Sequence, residues 1–222
     1  MKKVFSFDAE TNGLWGQAFA ISAVVMQEGK LVKKFVAYLG EQGVTDVWVR
    51  ENVLPALSGL EKTHSSYESM LADFAKFYLA NKEDADVITH IGTPVESRIL
   101  SDMHSMGFIG DWEGPYPLID VAGILKAKGY DPTSVDKYNS AHSIKTSELD
   151  NLVPHHPLYD AIATAIAYQH LLWSYRWSYR PKGRHFDQDD NRPFEQHDFY
   201  QNGIHHRCTG FDPLHGGRPE YR

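Results

Sequence analysis

Three stretches of β-forming residues open the chain and narrow its fold class more than any other feature. Residues 3–8 (KVFSFD) alternate and carry Val and Phe, the pattern of a strand ending at Asp8. After a turn-like Thr11-Asn12-Gly13 comes a second apolar run, 18–26. Gln27-Glu28-Gly29-Lys30 then reads as a hairpin turn into a third strand over 31–39. The chain therefore begins with three antiparallel strands.

Helical spacing follows. Residues 47–60 and 65–81 predict helices. In the second, Tyr67, Met70, Leu71, Phe74, Phe77 and Tyr78 recur at three and four and make one apolar face, which is core rather than a cofactor site. Residues 86–91 (DVITHI) predict a short buried strand, and Thr93-Pro94 opens a helix from Val95 to about Met106. Residues 116–121 fit a short strand or the start of a helix over 121–128. Residues 129–153 are polar and irregular, with a short helix near 135–138. A long helix starts at His156 or Pro157 and runs through Asp160, Ala163, Ile166, Ala167 and Leu171 to about Trp177. This order predicts an α/β fold whose mixed sheet, three antiparallel N-terminal strands plus parallel ones, is flanked by helices. Beyond Pro181 aliphatic residues thin out. One domain over 1–180 is thus expected, with a polar tail over 181–222 that wraps it or is partly disordered.

The net charge of -7 argues against coating nucleic acid by bulk electrostatics. An enzyme that grips one strand end stays open, because divalent metals in an acidic pocket supply positive charge locally. A single cysteine, Cys208, excludes an intramolecular disulfide. The apolar stretch after Lys2-Lys3 is too short for a signal-peptide core, and no run approaches the ~18 residues of a membrane span. The expectation is a soluble, cytoplasmic protein without a membrane partner.

Asp8-Ala9-Glu10 carries the chemistry. Residues two apart on a strand point to the same side, so both carboxylates project together where a sheet ends. Paired carboxylates repel unless a cation joins them, and hard cations such as Mg²⁺ select carboxylate oxygens. His155 stands five residues before Asp160 at the start of the long helix, and a histidine near neutral pKa can deprotonate water. Glu96 adds a fourth carboxylate at the start of another helix. Each has a plainer reading, as a solvated turn, a polar loop or helix N-terminal charge; the set is what points to a metal site.

FSFDAETNG resembles the first motif of DEDD-type 3′–5′ exonucleases of the ribonuclease H-like fold, and HHPLYDAIATA resembles their third motif in the histidine-bearing DEDDh branch. The chain is most similar to the exoribonuclease group around RNase T and mycobacterial RNase AS. The resemblance implies Asp8 bridging two Mg²⁺ or Mn²⁺ ions about 4 Å apart. It further implies Glu10 and Asp160 on the ion that activates water, Glu96 helping to hold the other, and His155 as general base. The product would be a nucleoside 5′-monophosphate cut from a single-stranded 3′ end or overhang, RNA being favoured, and a homodimer is expected. The family places an aspartate where HIGTPVESRIL has Glu96; Asp102 and Asp120 are the alternatives.

The residues after Glu10 should meet the terminal nucleotide, with backbone N–H groups of Thr11, Asn12 and Gly13 on the sugar and Leu14 or Trp15 stacked on the base. His90 fits a satisfied strand-end residue better than a cleft residue. Arg98, Lys137, Lys145 and Arg176 are unassigned phosphate candidates. The tail residues His185, His197, His205, His206, Cys208 and His215 match no common zinc spacing. Two other readings stay open: a DNA exonuclease on the same site, and a non-catalytic binding module on a ribonuclease H-like fold.

Overall fold

The computed structural model describes residues 3–178. The tail over 181–222, with its histidines and Cys208, lies outside the described residues, as does the side chain of Arg176. Five strands form one sheet: β1 (Lys3–Thr11), β2 (Ala18–Gln27), β3 (Lys30–Tyr38), β4 (Ala85–Thr89) and β5 (Ile119–Asp120). Their order is β3-β2-β1-β4-β5. β1 pairs antiparallel with β2, and β2 with β3; β4 runs parallel to both β1 and β5. The sheet has the mixed character expected, with helices on both faces.

The hairpin closes as its letters predict. Glu28 and Gly29 both take positive φ, 52° and 80°, the pair of left-handed residues that matches a two-residue turn to the strands' twist. The helices are α1 (Val47–Asn52), α2 (Tyr67–Leu79), α3 (Val95–Ser105), α4 (Val121–Ala127), α5 (Val135–Ala141) and α6 (Pro157–Ser178). The single helix expected over 47–60 is instead α1 followed by a 3-10 turn, Leu54–Leu57. Pro55 is the reason, since it lacks a donor and disfavours helical backbone in the residue before it. No helix among the described residues is long and apolar enough to cross a membrane.

Period-two alternation sorts β1 between two cores. Phe5, Phe7 and Ala9 face α2, packing with Met70, Leu71, Phe74 and Tyr78; the rings of Phe5 and Tyr78 meet edge-on at 5.5 Å. Val4 faces the other way and packs with α6 through Ala161, Ile162 and Ala165. Alanines on α6 combine high helix propensity with little bulk, so the helix lies close over β1 and β2. A smaller cluster of Phe19, Tyr38, Val49, Val53 and Leu57 seats α1 across the ends of β2 and β3.

Candidate active site

The alternation that buries Val4 under α6 carries Asp8 and Glu10 to that same face of the sheet. β1 does not end at Asp8 as expected but continues to Thr11, with Asp8 opposite Ser22 and Glu10 opposite Ala20. Both acids thus stand on paired strand rather than in a loop. α6 begins at Pro157, so its first turn brings Asp160 over them. Glu96 comes from α3, whose Ile99 and Met103 pack on the α2 side. β4 pairs with β1 only as far as Ser6, and beyond it the Glu96 carboxylate accepts from the Ala9 N–H. Glu96 is only 3% exposed.

His155 precedes α6 in a left-handed conformation, φ 69°, an uncommon state for a residue with a side chain. In this geometry its backbone N–H donates to Asp160 Oδ2 at 3.0 Å, leaving the ring free of the helix. One oxygen each of Glu10 and Asp160 and one ring nitrogen of His155 lie within 4.8 Å of one another. His156 does something different: its Nδ1 accepts the Leu158 N–H at 3.2 Å and its carbonyl accepts from Asp160, which starts α6. Trp48 of α1 sets its ring perpendicular to the His155 ring at 5.7 Å.

Asp8, Glu10, His155 and Asp160 border a cleft of about 390 Å³. No lysine or arginine is among its described lining residues, and the acids feel each other. Burial, then Asp160, Glu96 and Glu10, hold Asp8 far above the usual carboxylate range. Burial with Asp160 and Glu96 pushes Glu10 up to about 8. Glu96 also rises to about 8 through burial, against the backbone N–H groups it accepts from. Asp160 rises to about 7 through burial and Asp136, against the His155 N–H. Clustered carboxylates without a cationic partner are the donor set that hard divalent cations fill, and the residues present fit such ions.

The sign of the linkage follows. Between pH about 4.5 and about 8 the folded protein holds protons on Glu10, and likewise on its neighbours, that the unfolded chain has released. Metal-free protein is therefore expected to lose stability as pH rises through that window, and saturating Mg²⁺ to restore it at the alkaline end with release of protons. Thermal melts with chelator and with Mg²⁺ check this. A melting temperature flat across the window and indifferent to Mg²⁺ would separate the acids into independent groups.

Other expected residues fall into distinct roles. Asp102 is half-buried: it accepts from the Tyr67 hydroxyl at 2.7 Å and pairs with Arg98 at 3.6 Å. Asp120 caps α4 through Ala122 N–H and accepts from Ile91 and Gly92 N–H at 3.0 and 3.2 Å, so it holds the loop beside the cleft. The N–H groups of Asn12 and Gly13 do not await a sugar; the turn itself uses them, toward Gln17 and Thr11 carbonyls. The Asn12 amide instead ties down 43–46 through Gly43, Thr45 and Asp46. Leu14 and Trp15 are the groups this turn exposes, at 62% and 73%, and Arg98 holds the Trp15 carbonyl at 2.6 Å. His90 lines the cleft while bonding the Pro132 carbonyl at 2.9 Å. Lys137 is paired with Asp131 at 2.7 Å.

Sequence reasoning missed Trp48 and Asp136. Asp136 lines the cleft, raises Asp160 and accepts from the Tyr159 hydroxyl at 2.9 Å. Its position in the first turn of α5 is where any helix favours an acid, so the letters carried no distinguishing signal.

No family model matches the chain, and no curated protein sequence matches it. Among solved structures it is similar to Exonuclease X in complex with 5′ overhanging duplex DNA, at 17% identity and a TM-score of 0.49, over 80% of this chain and 94% of that one.

Proposed function

We propose that this chain is a divalent-metal-dependent 3′–5′ exonuclease that shortens single-stranded RNA, or 3′ overhangs, and releases nucleoside 5′-monophosphates. The observation that carries the proposal is the meeting of Asp8, Glu10 and Asp160 at one cleft that no lysine or arginine lines among the described residues, with buried Glu96 close enough to repel Asp8 and Glu10 and the His155 ring beside Glu10 and Asp160. Asp8, Glu10, Glu96 and Asp160 would hold the two Mg²⁺ or Mn²⁺ ions that the motif resemblance implies. Bound there, such ions lower the pKa of water and offset charge developing on the phosphoryl oxygens.

The chain's own residues supply the rest. His155 accepts the proton of the attacking water at a ring nitrogen and hands it to solvent, to which it is exposed. Asp160 fixes the His155 backbone and so the approach of the ring. Leu14 and Trp15 offer apolar faces to the terminal base, on a turn that Arg98 anchors to the helix bearing Glu96. The preference for RNA comes from the motif resemblance, and sugar choice itself rests on contacts to the 2′-OH.

The test is 5′-labelled single-stranded RNA and DNA oligomers of one sequence, incubated with Mg²⁺ or Mn²⁺. Stepwise 3′ shortening that needs metal and is faster on RNA is expected. Faster shortening of DNA would move the polymer and keep the chemistry, whereas binding of both without cleavage would leave a non-catalytic module. Glu96→Gln keeps an acceptor for the Ala9 N–H and removes the charge; turnover should fall about 10²-fold. Asp102 and Asp120 are engaged elsewhere, so undiminished turnover would take Glu96 out of the ligand set without a ready successor.

A further inference from the structure

We propose that the cavity beyond Asp136 is the subsite for the nucleotide upstream of the scissile bond, with Lys145 as its phosphate contact; this rests on the exonuclease reading above. The cavity measures about 560 Å³ and lies between α5, the segment after it and Tyr159 of α6. Asp136 borders both this cavity and the acid cleft, and its carboxylate is held by the Tyr159 hydroxyl at 2.9 Å. The two spaces therefore adjoin across one side chain. On this proposal a strand whose terminal phosphodiester lies among Asp8, Glu10 and Asp160 would carry its next nucleotide across this boundary.

The lining suits a nucleotide rather than a second metal or an apolar ligand. Ile144 and Leu149 are half-buried apolar contacts for a base. Asn139 is 6% exposed, its Nδ2 bonded to the Ala163 carbonyl at 3.0 Å, while its buried Oδ1 has no partner. That oxygen and the Asp150 carboxylate are acceptors for sugar hydroxyls or base amino groups. Lys145 is exposed and forms no hydrogen bond or ion pair with any described residue, unlike Lys137, and it is the one lysine lining either space among those residues. Ser143, left-handed at φ 54°, ends α5 and turns Ile144 and Lys145 toward the cavity wall. A single unpaired ammonium beside acceptors matches one phosphate attached to a sugar and base.

Lys145→Gln removes the charge at an exposed position and leaves the packing intact. Two substrates separate the subsite from the cleft: a dinucleoside monophosphate, which has only the scissile phosphate, and a tetranucleotide of the same composition. For the tetranucleotide KM should rise about tenfold, while the dinucleoside monophosphate should stay within about twofold of wild type. Binding of a tetranucleotide with a non-hydrolysable phosphorothioate 3′ linkage should lose about 0.7 from its slope against log salt, the signature of one phosphate contact on a single strand. Equal losses on both substrates, or none on either, would overturn the subsite. So would a variant that loses binding of a free nucleoside 5′-monophosphate but handles the tetranucleotide as wild type does. If wild type hydrolyses neither substrate, the exonuclease reading itself fails, which is a different result from normal hydrolysis indifferent to Lys145.

Discussion

Asp8→Asn is expected to cut metal-dependent 3′ shortening by on the order of 10³-fold or more, and in the same sample to raise the melting temperature of the metal-free protein. Both effects come from one position. Asp8 and Glu10 repel each other and each is repelled by Asp160 and Glu96 as well, so Asp8 stands among all the acids. The motif resemblance would make Asp8 an acid that helps to hold both ions. Without metal the same placement is a liability, because a carboxylate there must either take up a proton or endure its neighbours. Asparagine keeps the shape and removes the charge. Each pKa unit of relieved repulsion is about 1.4 kcal/mol, and about 1 kcal/mol moves the melting point by about 2–4 °C in a domain of this size. Rates on labelled RNA and melts at the alkaline end of the window test the two halves separately. Activity that survives refutes the mechanism; a melting point that falls means Asp8 holds the fold together rather than the metals.

The placement of these acids on β1 was legible in the sequence because local periodicity decides it. Period two along KVFSFDAE already placed Phe5 and Phe7 opposite Asp8 and Glu10, and the sheet places them so. Glu28-Gly29 specified its turn. Pro55 also carried its message, and apolar spacing over 47–60 wrongly outweighed it. What the letters hide is long-range pairing. The Asn12 backbone N–H was expected to meet substrate, yet it closes the turn onto Gln17, while the side-chain amide serves a loop more than thirty positions away. The same loop leads into α1 and so sets Trp48 against His155. Asp136 reads as ordinary helix-start charge until α5 is laid beside α6 and the Tyr159 hydroxyl reaches it. His155 and His156 are identical letters side by side, and only backbone conformation and hydrogen bonds give one to the cleft and the other to the start of α6. Ile91 and His155, both left-handed and both lining the cleft, are held there by Asp120 and Asp160 respectively. Backbone strain of this kind persists only where surrounding bonds over-determine it.

His155→Ala should lower kcat by about 10²–10⁴-fold, the range for a positioned general base, with little change in the Mg²⁺ concentration needed for half-maximal rate. The second half of that expectation decides between two roles. A ring nitrogen within 4.8 Å of Glu10 and Asp160 oxygens is close enough for an imidazole to be a metal ligand. Three features favour the base. The residue is exposed, it sits before the helix rather than on it, and what Asp160 fixes is its backbone, not its ring. The ring's own neighbour is the Trp48 indole at 5.7 Å, an edge contact that limits its swing without consuming a nitrogen. A ligand, by contrast, has its ring orientation set by a partner on its other nitrogen, and none is present among the described residues. Activity titrated with Mg²⁺, together with Mg²⁺-induced thermal shifts, measures both quantities in one variant. A loss of metal affinity that matches the loss of rate makes His155 a ligand, and an undiminished kcat gives the proton to another group.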